Sequence, residues 1–274
     1  MTLKPSPEAQ PRASILYSLV VTYPSPSARV VLVAAGSSTR MRQGGKSALR
    51  KPWLDLCGQP VLEVTAEAIS SAPEVQELVI VIHPDDIERL RTHAAGKSAF
   101  AKLVAIVPGG KERADSVRLG ARASNTTVDV IAVHDAARPL VEPATVSAAI
   151  QLAHVSGAAL VAVPVTDTIK ESSDGKHVSA TLDRSLLWSA QTPQCFRATR
   201  FLELLDRAEL EGFRPTDDSA LWERWVGPVP LVEGSPRNRK ITTPADLELA
   251  RALLCSSRDQ VSPSEIDASH PPRT

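Results

Sequence analysis

Asp135 and Arg138 offer the clearest chemical pairing in the chain. They stand in Val133-His134-Asp135-Ala136-Ala137-Arg138-Pro139, directly after the apolar run Val128 to Val133. That run reads as a buried strand, and ligands of open α/β sheets sit in the crevice outside the carboxyl ends of strands. A carboxylate there can hold a metal ion or a sugar hydroxyl. An arginine can fork two donors onto a phosphate. An isolated D-x-x-R more often closes a strand as a structural ion pair, so other segments have to decide. His134, in the same motif, reads as a packing or hydrogen-bonding residue rather than a general base.

A second cluster follows Arg29-Val30-Val31-Leu32-Val33-Ala34, a β-branched run of the kind found in central parallel strands. It opens into Ala34-Ala35-Gly36-Ser37-Ser38-Thr39-Arg40-Met41. Small residues let backbone N–H groups approach a ligand, and successive N–H groups form an anion-binding nest. Arg40, Lys46, Arg50 and Lys51 then bring cations to the same region, a setting for a polyphosphate. Gly44-Gly45-Lys46-Ser47 imitates the end of a Walker A loop, but that motif needs Gly where Arg40 stands. It reads as an insertion. A dinucleotide G-x-G-x-x-G is also absent, since only Gly36 is in place. A nucleoside triphosphate therefore fits better than NAD.

Two further segments add ligand-facing chemistry. Pro108-Gly109-Gly110-Lys111-Glu112-Arg113-Ala114-Asp115-Ser116 follows the apolar run Leu103 to Val107. Its paired glycines open backbone conformations closed to other residues and leave amide edges able to read a base. A plain strand-to-helix turn capped by Asp115 or Ser116 fits the same residues. Late in the chain, the strand-like Val229 to Gly234 leads to Lys240 and then Thr243-Pro244-Ala245-Asp246. Thr243 reads as a helix N-cap, Pro244 as the first helical residue and Asp246 as a favourable charge near the helix start. Lys240, just before that helix, suits a ligand phosphate or a solvated position.

In this order and spacing the segments resemble the 2-C-methyl-D-erythritol 4-phosphate cytidylyltransferase family. The resemblance runs from about residue 29 to 256. It rests on A-A-G-S-S-T-R-M, K-P-W-L-D-L-C-G-Q-P-V-L, G-G-K-E-R-A-D-S-V, V-H-D-A-A-R-P, D-T-I-K, L-W-S-A-Q-T-P-Q and R-K-I-T-T-P-A-D-L. It implies a reaction of CTP with methylerythritol phosphate to give a cytidine diphosphate alcohol and pyrophosphate, with Mg²⁺ bridging the triphosphate. Arg40 and Lys51 then resemble the catalytic cations. Ala34, Ala35 and Gly36 resemble the nucleotide-cradling backbone, and Gly110, Lys111 and Ser116 fall at base-reading positions. Asp135, Arg138, Thr168 and Lys240 resemble groups holding the second substrate, with Asp135 also near the metal. Arg184 and Thr192 match positions contacting the methylerythritol phosphate, one of them from a neighbouring subunit. Three departures stand out. The loop between Arg40 and Lys51 is longer than the family spacing. Arg50 stands where the family usually has Pro, and Lys111 where it often has an acid.

These residues need a frame to hold them. Apolar runs near 30–34, 78–82, 103–107, 128–133 and 159–165 alternate with helical patterns near 60–71, 85–95, 115–123 and 143–155. Such alternation predicts a Rossmann-like α/β fold: a mostly parallel twisted sheet with helices on both faces, its strand ends gathered on one edge. Between 166 and 190 the pattern breaks around Ser172-Ser173-Asp174-Gly175, a sequence suited to a hairpin turn. That stretch predicts a protruding β-arm, which in the resembled family clasps a second subunit into a homodimer. Helices near 199–211 and 217–225 precede the last strand.

A length of 274 residues suits a single domain over 29–256, with residues 1–28 and 257–274 expected to be disordered extensions. Ile15 to Val21 is too short to span a membrane. Lys plus Arg number 31 and Asp plus Glu 31, so no global field favours nucleic acid. Cys57, Cys195 and Cys255 are scattered and odd in number. They predict a reducing cytoplasm and no disulfide framework. Two other functions stay open: a cytidylyltransferase for another polyol phosphate such as ribitol 5-phosphate, and a nucleotide-binding module without catalysis.

Overall fold

The computed structural model describes residues 25–36 and 49–259. The apolar runs form most of a seven-stranded sheet. Its strands are β1 (Ala28–Val33), β4 (Val75–Ile82), β5 (Leu103–Pro108), β6 (Val130–Asp135), β7 (Ala158–Pro164), β10 (Trp188–Arg197) and β11 (Leu231–Glu233), in the spatial order β11-β7-β10-β6-β1-β4-β5. Parallel pairing joins β1 to β4 and β6, β4 to β5, and β7 to β11, whereas β10 runs antiparallel to both its neighbours. Residues Val30, Val31 and Leu32 of β1, Val79 to Ile82 of β4 and Val130 to Val133 of β6 are all buried. Burial on both faces explains why these strands are continuous β-branched runs rather than alternating ones.

Helices α1 (Val61–Ser70), α2 (Ile87–Ala94), α3 (Arg113–Ala121), α4 (Pro143–Ser156), α5 (Ala198–Leu210), α6 (Ser219–Trp225) and α7 (Pro244–Asp259) cover the sheet. Two apolar clusters divide its faces. Leu32, Ile80 and Ala132 belong to one with α1 and α4, while Val31, Val81 and Ile131 belong to the other with α3 and α5. Fully burying one such side chain contributes about 1.5–3 kcal/mol. At Gly120, α3 lies so close to β1 and β4 that a Cβ would sit 2.5 Å from Val31 Cγ1 and 2.6 Å from Val81 Cγ2. The absent side chain is what lets the helix follow the sheet here.

The β-arm is present as two short antiparallel strands, β8 (Lys170–Glu171) and β9 (Ala180–Thr181). Between them Asp174 accepts the backbone N–H groups of Lys176 and His177, both at 2.8 Å, and Gly175 takes φ +68°. This is the side-chain turn chemistry that the Ser-Ser-Asp-Gly segment offers.

Three features depart from the sequence-based expectations. Strand β10 has no sequence signature, because Trp188 to Arg197 mixes polar residues with Pro193 and shows no alternation. Its register shifts between Ala190 and Gln194, which accommodates a residue with no N–H to donate. A small hairpin of β2 (Asp55–Leu56) and β3 (Gln59–Pro60) precedes α1. Its turn residues Cys57 and Gly58 have φ of 53° and 85°. The cysteines also differ. Cys57 forms a disulfide with Cys255 in α7, across a sequence separation of 198, and only Cys195 is a free thiol among the described residues. Spacing could not reveal a pair that only the folded chain brings together. Arg251 reinforces the junction, donating to the Asp55 carbonyl at 2.8 Å.

Candidate active site

The chain runs β1, β4, β5 outward to one edge, then returns to place β6 on the other side of β1. The carboxyl ends of β1 and β6 therefore flank a topological switch point, where open α/β sheets bind their ligands. A cleft of about 420 Å³ opens there. Ala34, Ala35 and Gly36 line it from the end of β1, and Asp135 from the end of β6. Gly110, Lys111, Arg113 and Ser116 contribute from the β5–α3 loop and the start of α3, Lys51 from the turn Lys51–Trp53, and Lys240 from the segment before α7.

Asp135 is the electrostatic centre of this cleft. Its carboxylate is 2.9 Å from Lys240 Nζ, 3.6 Å from Arg138 Nε and 3.7 Å from Arg113 Nε. Burial opposes its ionisation, but Lys240, Arg113 and Arg138 outweigh that and hold the carboxyl below its usual range. Against Asp135 and Asp218, which pairs with Arg113, the three cations still leave one net positive charge, a field that favours an anion.

Arg113 is fixed from behind. Its Nη1 and Nη2 donate to the two Asp218 oxygens at 2.9 and 2.7 Å, a bidentate pair with Asp218 only 2 % exposed. Burial pushes the Asp218 carboxyl up, while Asp218 raises the Arg113 guanidinium against its own burial. Lys240 is set by buried amides. Asn238 donates to Gln191 Oε1 at 3.1 Å and to the Thr192 carbonyl at 2.9 Å, and Ile241 donates to the Ala137 carbonyl at 2.8 Å. These bonds tie the segment carrying Lys240 to β10 and to the D-x-x-R motif. At α7 itself, Thr243 Oγ1 accepts the Asp246 N–H at 3.3 Å and Asp246 accepts the Thr243 N–H at 2.8 Å, the cap the sequence announces.

On the opposite wall, Gly110 N–H donates to Ser116 Oγ at 3.0 Å, and that hydroxyl donates to the Glu112 carbonyl at 3.2 Å. A Cβ at Gly109 would collide with Ala35 Cβ, and one at Gly110 with Asp115 Cβ. Glycine at 109 lets the β5–α3 loop pack against the β1 loop, and glycine at 110 lets it fold onto the start of α3, leaving a backbone-lined edge.

The family model for 2-C-methyl-D-erythritol 4-phosphate cytidylyltransferase, IspD, matches residues 28–256. The chain belongs to the IspD family. Curated members include the 2-C-methyl-D-erythritol 4-phosphate cytidylyltransferase of Acidobacterium capsulatum, 40% identical over 230 residues and covering 82% of this chain and 96% of that one. The enzyme of the same name from Symbiobacterium thermophilum is 43% identical over 225 residues, 82% and 92% of the two chains. The crystal structure of 4-diphosphocytidyl-2C-methyl-D-erythritol synthase from Anaerococcus prevotii superposes with a TM-score of 0.73 at 27% identity, covering 84% of this chain and 97% of that one. The Thermus thermophilus cytidylyltransferase structure gives 0.65 at 30% identity, with 84% and 98% covered.

Within this IspD fold, the sequence-derived residues separate into five groups. Ala34, Ala35, Gly36, Lys51, Gly110, Lys111, Ser116, Asp135 and Lys240 share the cleft. Arg138 stands behind Asp135, donating to the Asn238 carbonyl at 2.7 Å, with its buried Nε lacking a hydrogen-bond partner among the described residues. Thr192 lies beneath the cleft, 3% exposed, with its hydroxyl bonded to the Asp135 N–H and the His134 ring. Thr168 and Arg184 are exposed on the arm, where Arg184 Nη1 donates to the Thr166 carbonyl at 2.8 Å. Arg40 and Lys46 lie outside the described residues. Sequence reasoning assigned no role to Arg113, although it stands inside G-G-K-E-R-A-D-S-V. Its partner Asp218 is 105 residues away, and no local pattern announces the pair.

Proposed function

We propose that the chain transfers a cytidylyl group from CTP to 2-C-methyl-D-erythritol 4-phosphate with release of pyrophosphate. The observation that carries this reading is the meeting of Lys51, Lys240 and Asp135 with the Gly110 edge in one cleft at the switch point of an IspD fold. An oxygen of the polyol phosphate attacks the α-phosphorus of CTP in line. The bond from that phosphorus to the bridging oxygen breaks, and its electron pair leaves with pyrophosphate. No covalent enzyme intermediate is needed, so catalysis consists of positioning and neutralisation of charge on the phosphoryl oxygens.

In this proposal Lys51 and Arg40 stabilise the charge that develops at the α-phosphorus and on pyrophosphate. Arg40 enters on the sequence alone. Ala34, Ala35 and Gly36 cradle the triphosphate, and Gly110, Lys111 and Ser116 read the base. Asp135, Arg138, Thr168 and Lys240 hold the polyol phosphate. Arg138 Nε lies 3.6 Å from Asp135 Oδ2, so in this proposal the guanidinium acts beside that carboxylate.

Mg²⁺ fits the donors present in one particular way. No group of three His, Cys, Asp or Glu among the described residues could cage an ion. Asp135 is a single buried carboxylate already facing Lys240. Mg²⁺ usually binds through one or two carboxylates plus substrate phosphates. An ion carried by the triphosphate, with Asp135 as its one protein ligand, matches that set and would neutralise charge on the nucleotide.

The proposal extends to a homodimer. Val178, Leu182, Leu186 and Trp188 of the arm are 62%, 38%, 77% and 42% exposed. A strip of large apolar residues on a protrusion is suited to a partner surface, and Arg184 on the same arm would then serve the partner's cleft. No described helix is long and apolar enough to cross a membrane. The proposed compartment is the cytoplasm, where nucleoside triphosphates are available.

Pyrophosphate release from CTP and Mg²⁺, with methylerythritol 4-phosphate or ribitol 5-phosphate as acceptor, tests the reading. Release with the first acceptor is expected. Release with ribitol 5-phosphate alone would change the acceptor, and no release with either while CTP still binds would remove catalysis.

A further inference from the structure

Lys51 begins the turn Lys51–Trp53, and the residue before it is anchored in an unusual way. Arg50 has an extended backbone, φ −71° and ψ 153°, and its carbonyl accepts the Trp53 N–H at 3.0 Å. Its guanidinium spans two carboxylates, with Nη2 2.7 Å from Asp85 Oδ2 and Nη1 3.1 Å from Asp86 Oδ2. Both acids belong to the turn Pro84–Asp86 at the carboxyl end of β4, the strand beside β1. Asp86 is 6% exposed, and Arg50 is the only cation in ion-pair distance of it among the described residues.

The backbone changes from extended at Arg50 to a tight turn at Lys51, so the two side chains part company at this junction. Arg50 reaches the β4 turn, and Lys51 lines the cleft. The following residues are held by the same region: Pro52 and Trp53 are buried, and Arg89 of α2 stacks over the Trp53 ring at 4.0 Å. A lysine has a long flexible stem, so the point from which it reaches depends on its backbone. An exposed ion pair would contribute little. A fork that also neutralises a buried carboxylate is different, because losing it leaves that carboxylate unpaired.

We propose that Arg50 is a positioning residue for the cytidylyl transfer: its latch on Asp85 and Asp86 sets the backbone from which Lys51 reaches the reacting phosphates. This rests on the assignment of Lys51 given above.

Steady-state kinetics with CTP and methylerythritol 4-phosphate, alongside thermal unfolding, test it. A small misplacement of a reacting group can cost up to about a hundredfold, so Arg50→Ala should lower kcat roughly ten- to a hundredfold with KM for CTP changed less than about threefold. Arg50→Lys should recover part of the rate, and Asp86→Asn should resemble Arg50→Ala. Adding Arg50→Ala to Lys51→Ala should change kcat less than about twofold, since the latch acts through Lys51. Full kcat in Arg50→Ala, a lowered melting temperature with unchanged kcat, or an equal loss in the Lys51→Ala background would each overturn the proposal. A Lys51→Ala enzyme that keeps full turnover would instead overturn the assignment of Lys51, and that arm is read independently.

Discussion

The Thr192 hydroxyl accepts the Asp135 backbone N–H at 3.1 Å and so fixes where that carboxylate enters the cleft. A backbone N–H can only donate, so the hydroxyl turns its own proton to His134 Nδ1, 3.0 Å away. His134 Nε2 then carries the ring proton and donates it to the Arg138 carbonyl at 3.1 Å. Three hydrogen bonds thus join β10 to both ends of the D-x-x-R motif.

Thr192→Val keeps the side-chain shape and strands two buried groups, the Asp135 N–H and His134 Nδ1. Unfolding free energy should fall by about 2–3 kcal/mol, and Thr192→Ser should restore most of it. Urea denaturation of both variants measures this. A valine variant as stable as the parent would dismiss the relay as a determinant of stability.

His134 makes folding pH-dependent. Burial pushes its imidazole down to about 4 from an ordinary 6.5. Between those values the unfolded chain binds a proton that the native chain refuses. Stability is therefore fully present above 6.5 and declines as pH falls toward 4, by about 3 kcal/mol in all and about 2 kcal/mol by pH 5. His134→Gln retains a donor and an acceptor without titrating. It should lose less stability than the parent between pH 7 and 5. Equal losses in urea titrations would assign the slope to other groups.

The two substrates should separate in the kinetics. Lys51→Ala and Arg40→Ala should each lower kcat by roughly 10²- to 10³-fold while CTP affinity, measured by calorimetry, changes far less, because each acts on charge developed in the transition state. Arg138→Ala should mainly raise KM for the polyol phosphate, and Lys46→Ala should do little. Matching losses of kcat and CTP affinity in Lys51→Ala would reduce that residue to a binding role.

Two inactive variants can test the arm. If Arg184 serves the partner's cleft, mixing Lys51→Ala with Arg184→Ala chains should regain activity. A hybrid dimer then holds one cleft with Lys51 intact and Arg184 supplied across the interface. A mixture as inactive as its components, after verified subunit exchange, would return Arg184 to its own cleft or to none.

Reductant should lower stability without touching the cleft. Linking residues 198 apart removes chain entropy worth up to about 5 kcal/mol in the unfolded state. Cys255→Ser should reproduce the fall in melting temperature caused by reductant and make the protein indifferent to it. Cys195 is fully buried, with its thiol pushed up by that burial, and should resist alkylation. A reductant-insensitive melting temperature in the parent would contradict the pairing.

The sequence made the parallel strands legible because burial on both faces writes them as uninterrupted Val, Ile and Leu. It made the cleft legible because small residues and cations cluster at the ends of those strands. What it hid depended on long-range contact. Strand β10 is pinned by neighbours rather than by its own pattern. Asp218 fixes Arg113 from 105 residues away, and Cys57 meets Cys255 only in the folded chain. The bonds of the Thr192 hydroxyl to the Asp135 N–H and the His134 ring have no signature in its motif either. Residues 37–48 and both termini lie outside the described residues, so Arg40 and Lys46 are assigned from the sequence alone.

The bond between Cys57 and Cys255 also decides how the protein would answer mechanical force. Tension applied at the two ends of the chain would cross from one cysteine to the other directly, leaving residues 57–255 off the loaded path. The arm, the D-x-x-R motif and Lys240 would be shielded. The load would fall on β1, which is zipped between β4 and β6 by parallel ladders and would have to be sheared out along their length. In the reduced protein the same pull could peel α7 away first. A single pair of sulfur atoms thus selects which end of the molecule yields.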